Sequence, residues 1–255
     1  MTELNFPTLT GSISRVPSDA YEEIVASYVS SVESLDSVLG VVQFGSTSMP
    51  GVSDIDLMVV FREEGPWPSW DDISLVRSAR KHECRDVVYH DVFVVPESVY
   101  RRLGAFFYVD GMRTHLDNGL PAQVAVENGD LLREMITLEY AIHRFEALMG
   151  ILLRSSAKLR EVVLFISTLR HSARLGSEIG VFDERYASTL VRGIDEMRGM
   201  VLDQAECDFS SWLEPAIVLT WSLIEELGGR LTSRGDSRMS STWHSHRRTG
   251  VIDIE

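Results

Sequence analysis

The chain is short of cysteine, of positive charge and of long apolar runs, and each shortage narrows what it can be. Only two cysteines, Cys84 and Cys207, stand in 255 residues. They are far apart and fit neither a CxxC nor a zinc spacing, which argues against a disulfide framework or a cysteine zinc centre. Two free thiols in a reducing cytoplasm are the expectation. His82 and Cys84 flank Glu83, but no second ligand pair follows to complete a metal site. Lys and Arg number 24 against 38 Asp and Glu, a net charge of −14. The average surface of such a chain repels a polyanion, so a long nucleic acid is a poor partner and a small or cationic one is easier to hold. No apolar run reaches the roughly 18 residues that would cross a bilayer. The opening Met1-Thr2-Glu3-Leu4-Asn5-Phe6 has neither a basic nor an apolar leader region, so cytoplasmic location without a membrane is expected.

What is present is ordinary for a globular protein, with 44% hydrophobic and 24% charged residues. The length allows one large domain or two small ones. Ser18-Asp19-Ala20-Tyr21 opens an amphipathic helix with capping residues, predicted to run to Leu39. Val41 to Phe44 reads as a short strand and Ile55 to Phe61 as a second. Gly65-Pro66-Trp67-Pro68 is a turn, Trp70 to Lys81 a helix, and Val87 to Val95 a third strand. This order predicts a small mixed sheet with helices on one side.

From about Leu120 the texture turns helical. Leu131 to Leu175 is nearly free of breakers, and Leu152, Leu159, Val162, Val163, Ile166 and Leu169 fall in one stripe on a helical wheel. Arg185 to Ala205 and Trp212 to Leu227 read as two more helices. The segment from Thr232 to Glu255 is rich in Ser and Arg and reads as a disordered tail. The expected whole is an α+β chain. Residues 1–120 form a mixed-sheet domain, 121–231 a helical domain and 232–255 a tail.

The informative stretch is Phe44-Gly45-Ser46, then Asp54-Ile55-Asp56-Leu57. Asp54 and Asp56 are two apart at the head of a strand, so alternation puts them on one face, with Ile55, Leu57, Val59 and Phe61 pointing into a core. Two carboxylates that close repel each other. A divalent cation relieves the repulsion, and oxygen ligands suit Mg²⁺ or Mn²⁺. Gly45 lets backbone approach a ligand closely, and the Ser46 hydroxyl and neighbouring N–H groups suit phosphate oxygens. A phosphate loop beside a carboxylate pair points to metal-assisted phosphoryl or nucleotidyl transfer.

These residues resemble the signature of the polymerase-beta-like nucleotidyltransferase superfamily, an apolar residue and Gly-Ser, a spacer, then acid-apolar-acid-apolar. The resemblance covers roughly residues 20 to 110. The wording from Gly45 to Gly51 is also similar to GrpB-like proteins. Seven residues separate Ser46 from Asp54, a tighter loop than the superfamily's usual one. The resemblance implies transfer of a nucleoside monophosphate from an NTP such as ATP to an acceptor hydroxyl, with Mg²⁺ or Mn²⁺ as cofactor. Gly45 and Ser46 would bind the nucleotide, and Asp54 and Asp56 the metal. It also implies a third carboxylate on a later strand. Asp91 is the better candidate, because it shares a strand face with Val87, Tyr89, Phe93 and Val95, where an acid is costly unless paired or metal-bound. Asp86 stands at the strand entrance, and His90 points to the opposite face.

Arg154, Lys158, Arg170 and Arg174 could reach a triphosphate, although basic residues beside an apolar stripe are usually its solvated rim. Glu127, Asp130, Glu134 and Glu139 could receive a cationic acceptor, or simply answer a helix dipole. The expected activity is therefore a nucleotidyltransferase with a small-molecule acceptor. The alternatives are a non-catalytic protein that keeps the fold and a toxin-type enzyme acting on tRNA or protein.

Overall fold

The computed structural model describes residues 7–64, 70–78, 92–105, 111–124, 129–205 and 207–233. The fold is α+β. Its contacts group into two compact units, Ser14–Glu127 and Met1–Ile13 with Asn128–Glu255. The sequence put the first residues with the sheet domain. They group instead with the helical unit, because β1 (Thr8–Thr10) pairs in parallel with β6 (Ser156–Lys158). Three-residue strands carry too little alternation to be read in advance.

The sheet unit contains α1 (Ser18–Val32), β2 (Val38–Phe44), β3 (Asp56–Phe61), α2 (Trp70–Ser78), β4 (Phe93–Pro96), α3 (Glu97–Tyr100) and β5 (Arg113–Asp117). Its strand order is β4-β3-β2-β5. β2 runs antiparallel to both β3 and β5, whereas β3 and β4 are parallel. β5 was not anticipated. Its Arg113-Thr114-His115-Leu116-Asp117 carries one aliphatic side chain, too few for a strand pattern. The opening helix ends at Val32 rather than Leu39. The polar Ser34, Asp36 and Ser37 break it, and Val38-Leu39 then joins the strand.

On α1, Tyr21, Val25, Tyr28 and Val32 are buried, a spacing of four, three and four that forms one helical stripe. The stripe packs on Val38, Val41, Ile55, Leu57, Val59 and Phe61, with Val76 and Val92 completing the cluster. Burial of each such aliphatic side chain contributes about 1.5–3 kcal/mol. The opposite sheet face is covered too. Leu39, Val42, Phe44, Met58 and Val60 pack with Tyr100 and Leu103. The expectation of helices on one side is thus corrected. Both faces of β2 and β3 are apolar, and α3 with the 3₁₀ turn Leu103–Ala105 supplies the second cover.

The helical unit contains α4 (Gly129–Leu152), α5 (Leu159–Glu178), α6 (Glu184–Leu202) and α7 (Ser210–Ser233). The stretch from Leu131 to Leu175, read as helical, lies in two helices, α4 and α5. It breaks after Leu152, where Leu153 is 83% exposed and β6 follows. Gly150, the one breaker residue in the run, stands two residues before the helix end, and Arg154-Ser155-Ser156 follows the break. Leu138, Ala141, Ile142 and Phe145 of α4 meet Leu223, Ile224, Leu227 and Leu231 of α7. Asp183 caps α6, its Oδ1 accepting from the Arg185 and Tyr186 N–H groups at 2.9 and 3.2 Å. No helix among the described residues is long and apolar enough to cross a membrane. Thr232 and Ser233, expected to open the tail, instead close α7, and the rest of the predicted tail, from residue 234, lies outside the described residues.

Candidate active site

Strand pairing brings the two halves of the sequence motif together. β2 ends at Phe44, whose partner across the ladder is Asp56, the first residue of β3. Gly45 leaves the strand with φ +76°, in the left-handed region that favours glycine. A Cβ built on Gly45 would lie 2.8 Å from Asp56 Oδ2. The Asp56 carboxylate therefore occupies the space that any other residue at position 45 would need. Glycine serves twice here, for the turn and for the close approach of a carboxylate. Asp56 stands on the face of Phe44, Met58 and Val60, opposite Leu57 and Val59.

Asp54 precedes the strand, between the buried Ser53 and Ile55. Asp54 and Asp56 are each half-buried, while Ser46 is exposed. The Ser46 hydroxyl donates to Ser48 Oγ at 2.8 Å and accepts from the Ser48 N–H at 3.3 Å. The loop is compact. The N–H groups of Val52 and Ser53 both donate to the Met49 carbonyl, at 3.1 and 2.8 Å.

A residue not anticipated from the sequence anchors this loop. Tyr21 of α1 is buried, and its hydroxyl donates to the Ser53 carbonyl at 2.5 Å and accepts from the Gly51 N–H at 3.0 Å. A tyrosine in a helix stripe reads as core, and only the tertiary structure shows the target of its hydroxyl. β5 also reaches the site. Arg113 pairs with Gln43, and a Cβ on Gly111 would lie 3.6 Å from the Gly45 carbonyl. His115 Nε2 donates to Gln43 Oε1 across 2.9 Å. Burial, then Arg113, hold the His115 pKa below its usual value. Arg113 itself pairs with Glu22 of α1 at 2.7 Å.

Gly45, Ser46, Asp54 and Asp56 thus gather at one end of the β2–β3 ladder. Asp91, together with Asp86 and His90, lies outside the described residues, as does Cys84. Phe93, two residues after Asp91 in sequence, pairs with Met58 and stacks edge-on against Phe44 at 5.2 Å between ring centroids. Two carboxylates and a hydroxyl are all-oxygen donors, a chemistry that fits a hard divalent cation. Among the described residues there is no set of three His, Cys, Asp or Glu side chains placed to hold a metal.

The basic candidates all lie in the helical unit. Arg154 pairs with Glu161 at 2.8 Å, Arg170 pairs with Asp195 at 2.6 Å, and Lys158 and Arg174 are exposed. Of the acidic run, Glu127 lies outside the described residues and Asp130 is in the first turn of α4. Glu134 is buried 3.7 Å from Arg230, and Glu139 lies 3.9 Å from His143. The ion pair with Arg230 accounts for Glu134 without a ligand. No family model matches the chain, and no curated protein or solved structure matches it either.

Proposed function

We propose that the chain is an Mg²⁺-dependent nucleotidyltransferase that moves a nucleoside monophosphate from an NTP to the hydroxyl of a small-molecule acceptor. The observation that supports this most is the packing of the Asp56 carboxylate against the Gly45 turn, where a Cβ would stand 2.8 Å from Oδ2. A surface turn with two solvated acids has no need of that contact. In this reading, Gly45 and Ser46 hold the outer phosphates through N–H and hydroxyl groups. Asp54 and Asp56 hold the cation. The bound cation would neutralise phosphate charge and align the reacting groups. Asp91 takes the proton of the acceptor hydroxyl as its oxygen bonds to the α-phosphorus. The bond from that phosphorus to the bridging oxygen breaks, and pyrophosphate leaves. Positioning and charge complementarity supply most of the acceleration.

The net charge of −14 favours a small acceptor over a long nucleic acid. The test is incubation with each labelled NTP, ATP first, plus Mg²⁺ and candidate acceptors, with pyrophosphate release as the signal. Mg²⁺-dependent release with label on a small molecule is the expected result. Nucleotide binding without release under any acceptor would turn the reading to a binding protein that keeps the fold. Label on tRNA or protein would turn it to a toxin-type enzyme.

A further inference from the structure

We propose that the Phe93 ring is the platform on which the base of the nucleotide stacks, and that it gives the site a preference for purine over pyrimidine triphosphates. The proposal rests on the nucleotidyltransferase reading and concerns the part of the substrate that the carboxylates and the Gly45 turn do not hold. Phe93 opens β4 and pairs with Met58 of β3. Its ring stands edge-on to that of Phe44, with 5.2 Å between centroids. Phe44 and Phe93 come from the two strands that flank β3, so their rings meet above it, and their ladder partners there are Asp56 and Met58. That is the sheet face on which the Asp56 carboxylate stands. At about 3.3 Å per residue along a strand and about 4.8 Å between strands, the Phe93 and Asp56 backbones lie roughly 8 Å apart. A ribose bridges a gap of that order between a cation-bound phosphate and a base.

The two rings differ in exposure. Phe44 is 7% exposed and belongs to the core, whereas Phe93 is 44% exposed. A lone exposed aromatic ring is common, but a second exposed apolar side chain stands on the far side of Phe44. Met112, 39% exposed, directly precedes Arg113, the ladder partner of Gln43, which sets it beside Phe44. The Met112 sulfur accepts from the Gln123 amide at 3.7 Å. Gln123 also hydrogen-bonds Tyr100, which packs with Phe44. Phe93, Phe44 and Met112 thus form one apolar shelf bordered by the Asp56 carboxylate and the Gly45 turn. Such a shelf receives a flat apolar face and offers it no hydrogen-bond code, so it ranks bases by stacking strength. A purine presents the larger face.

The experiment measures binding to the full chain by calorimetry with Mg²⁺ and no acceptor, so that any effect belongs to the nucleotide. ATP and UTP are the probes, and inorganic tripolyphosphate is the reference without a base. The wild type should bind ATP more tightly than UTP. Phe93→Leu keeps an apolar cover on Phe44 but removes the ring. It should weaken ATP about tenfold, UTP less, and tripolyphosphate not at all. Phe93→Trp should hold ATP at least as tightly as the wild type, and ATP, but not tripolyphosphate, should quench the emission gained over the wild type. Equal affinity of the wild type for ATP and UTP, an unchanged ATP affinity in Phe93→Leu, or an equal loss there for ATP and tripolyphosphate would overturn the platform and leave the nucleotidyltransferase reading intact. Asp56→Asn tests that reading separately, since it should abolish Mg²⁺-dependent binding of all three. Absence of such binding to the wild type would overturn both.

Discussion

The Tyr21 hydroxyl reaches from α1 to the Ser53 carbonyl, one residue before Asp54, across 2.5 Å of buried space. The same oxygen accepts from the Gly51 N–H at 3.0 Å, so one hydroxyl fixes two points of the loop that leads into Asp54. Tyr21→Phe should cost about 1–3 kcal/mol, because two buried backbone groups lose their partner. It should also weaken Mg²⁺-dependent nucleotide binding. Tyr28→Phe is the comparison, since its hydroxyl donates to the Val76 carbonyl at 3.1 Å, away from the loop. Denaturant unfolding should show a loss in both variants and nucleotide titration a loss only in Tyr21→Phe. Equal nucleotide affinity in the two would mean that the loop's position does not matter to the ligand.

Gly45→Ala tests the close approach of the carboxylate. Position 45 combines φ +76° with the 2.8 Å contact to Asp56 Oδ2, whereas Gly180 has φ +69° and nothing within 4 Å of a built Cβ. Both alanine variants should be destabilised by about 1–3 kcal/mol from backbone strain. Only Gly45→Ala should also displace Asp56 and lower nucleotide affinity. Thermal unfolding and ligand titration of the two variants side by side separate strain from displacement.

The carboxylates themselves are tested by charge removal. Asp56→Asn should abolish Mg²⁺-dependent NTP binding and leave the far-ultraviolet dichroism unchanged. Asp91→Asn should lower turnover by about 10²–10⁴-fold, the usual loss for a general base, with little change in nucleotide affinity. Asp86→Asn should be nearly silent. A large loss in Asp86→Asn and none in Asp91→Asn would reverse the assignment.

The Arg170–Asp195–Arg198 triad should be a stability element. Asp195→Ala removes the carboxylate that two guanidiniums share, their side chains 11% and 2% exposed, and the expected loss is about 3–5 kcal/mol. The midpoint of urea unfolding measures it. A loss below about 1 kcal/mol, typical of a surface pair, would show that the triad adds little.

The pH dependence of stability should carry the mark of His171. Its folded pKa, about 4, lies below the usual histidine value of 6.5, held down first by burial. The unfolded state therefore binds the proton more readily, and stability rises with pH across this window. As pH falls from about 6.5 to about 4, the chain should lose on the order of 3 kcal/mol from this group. His171→Gln should flatten that part of the stability curve.

The sheet motif was legible because its chemistry is local. Gly45-Ser46 and Asp54-Ile55-Asp56 lie within twelve residues of one another, and strand alternation alone assigned Ile55, Leu57, Val59 and Phe61 to the core where they are buried. The helices announced themselves by their stripes, so α6 begins and ends near its expected limits and α7 begins near Trp212, although it runs on to Ser233, past the expected Leu227. What escaped detection depends on distant partners. β5 is held by pairing with β2 and has no strand-like composition of its own. Tyr21 reads as one more core residue until the backbone it bonds to is known.

The pairing of β1 with β6 also constrains how the chain can be assembled. Thr10 Oγ1 donates to the Ala157 carbonyl across 147 residues of sequence. The first strand therefore waits for its partner while the whole sheet unit, Ser14–Glu127, is synthesised between them. At about 5–20 residues per second that wait lasts roughly 7–30 s, whereas contacts within the sheet unit close far sooner. The sheet unit is thus positioned to fold first. The helical unit is completed by a late closure whose rate is limited by contact order.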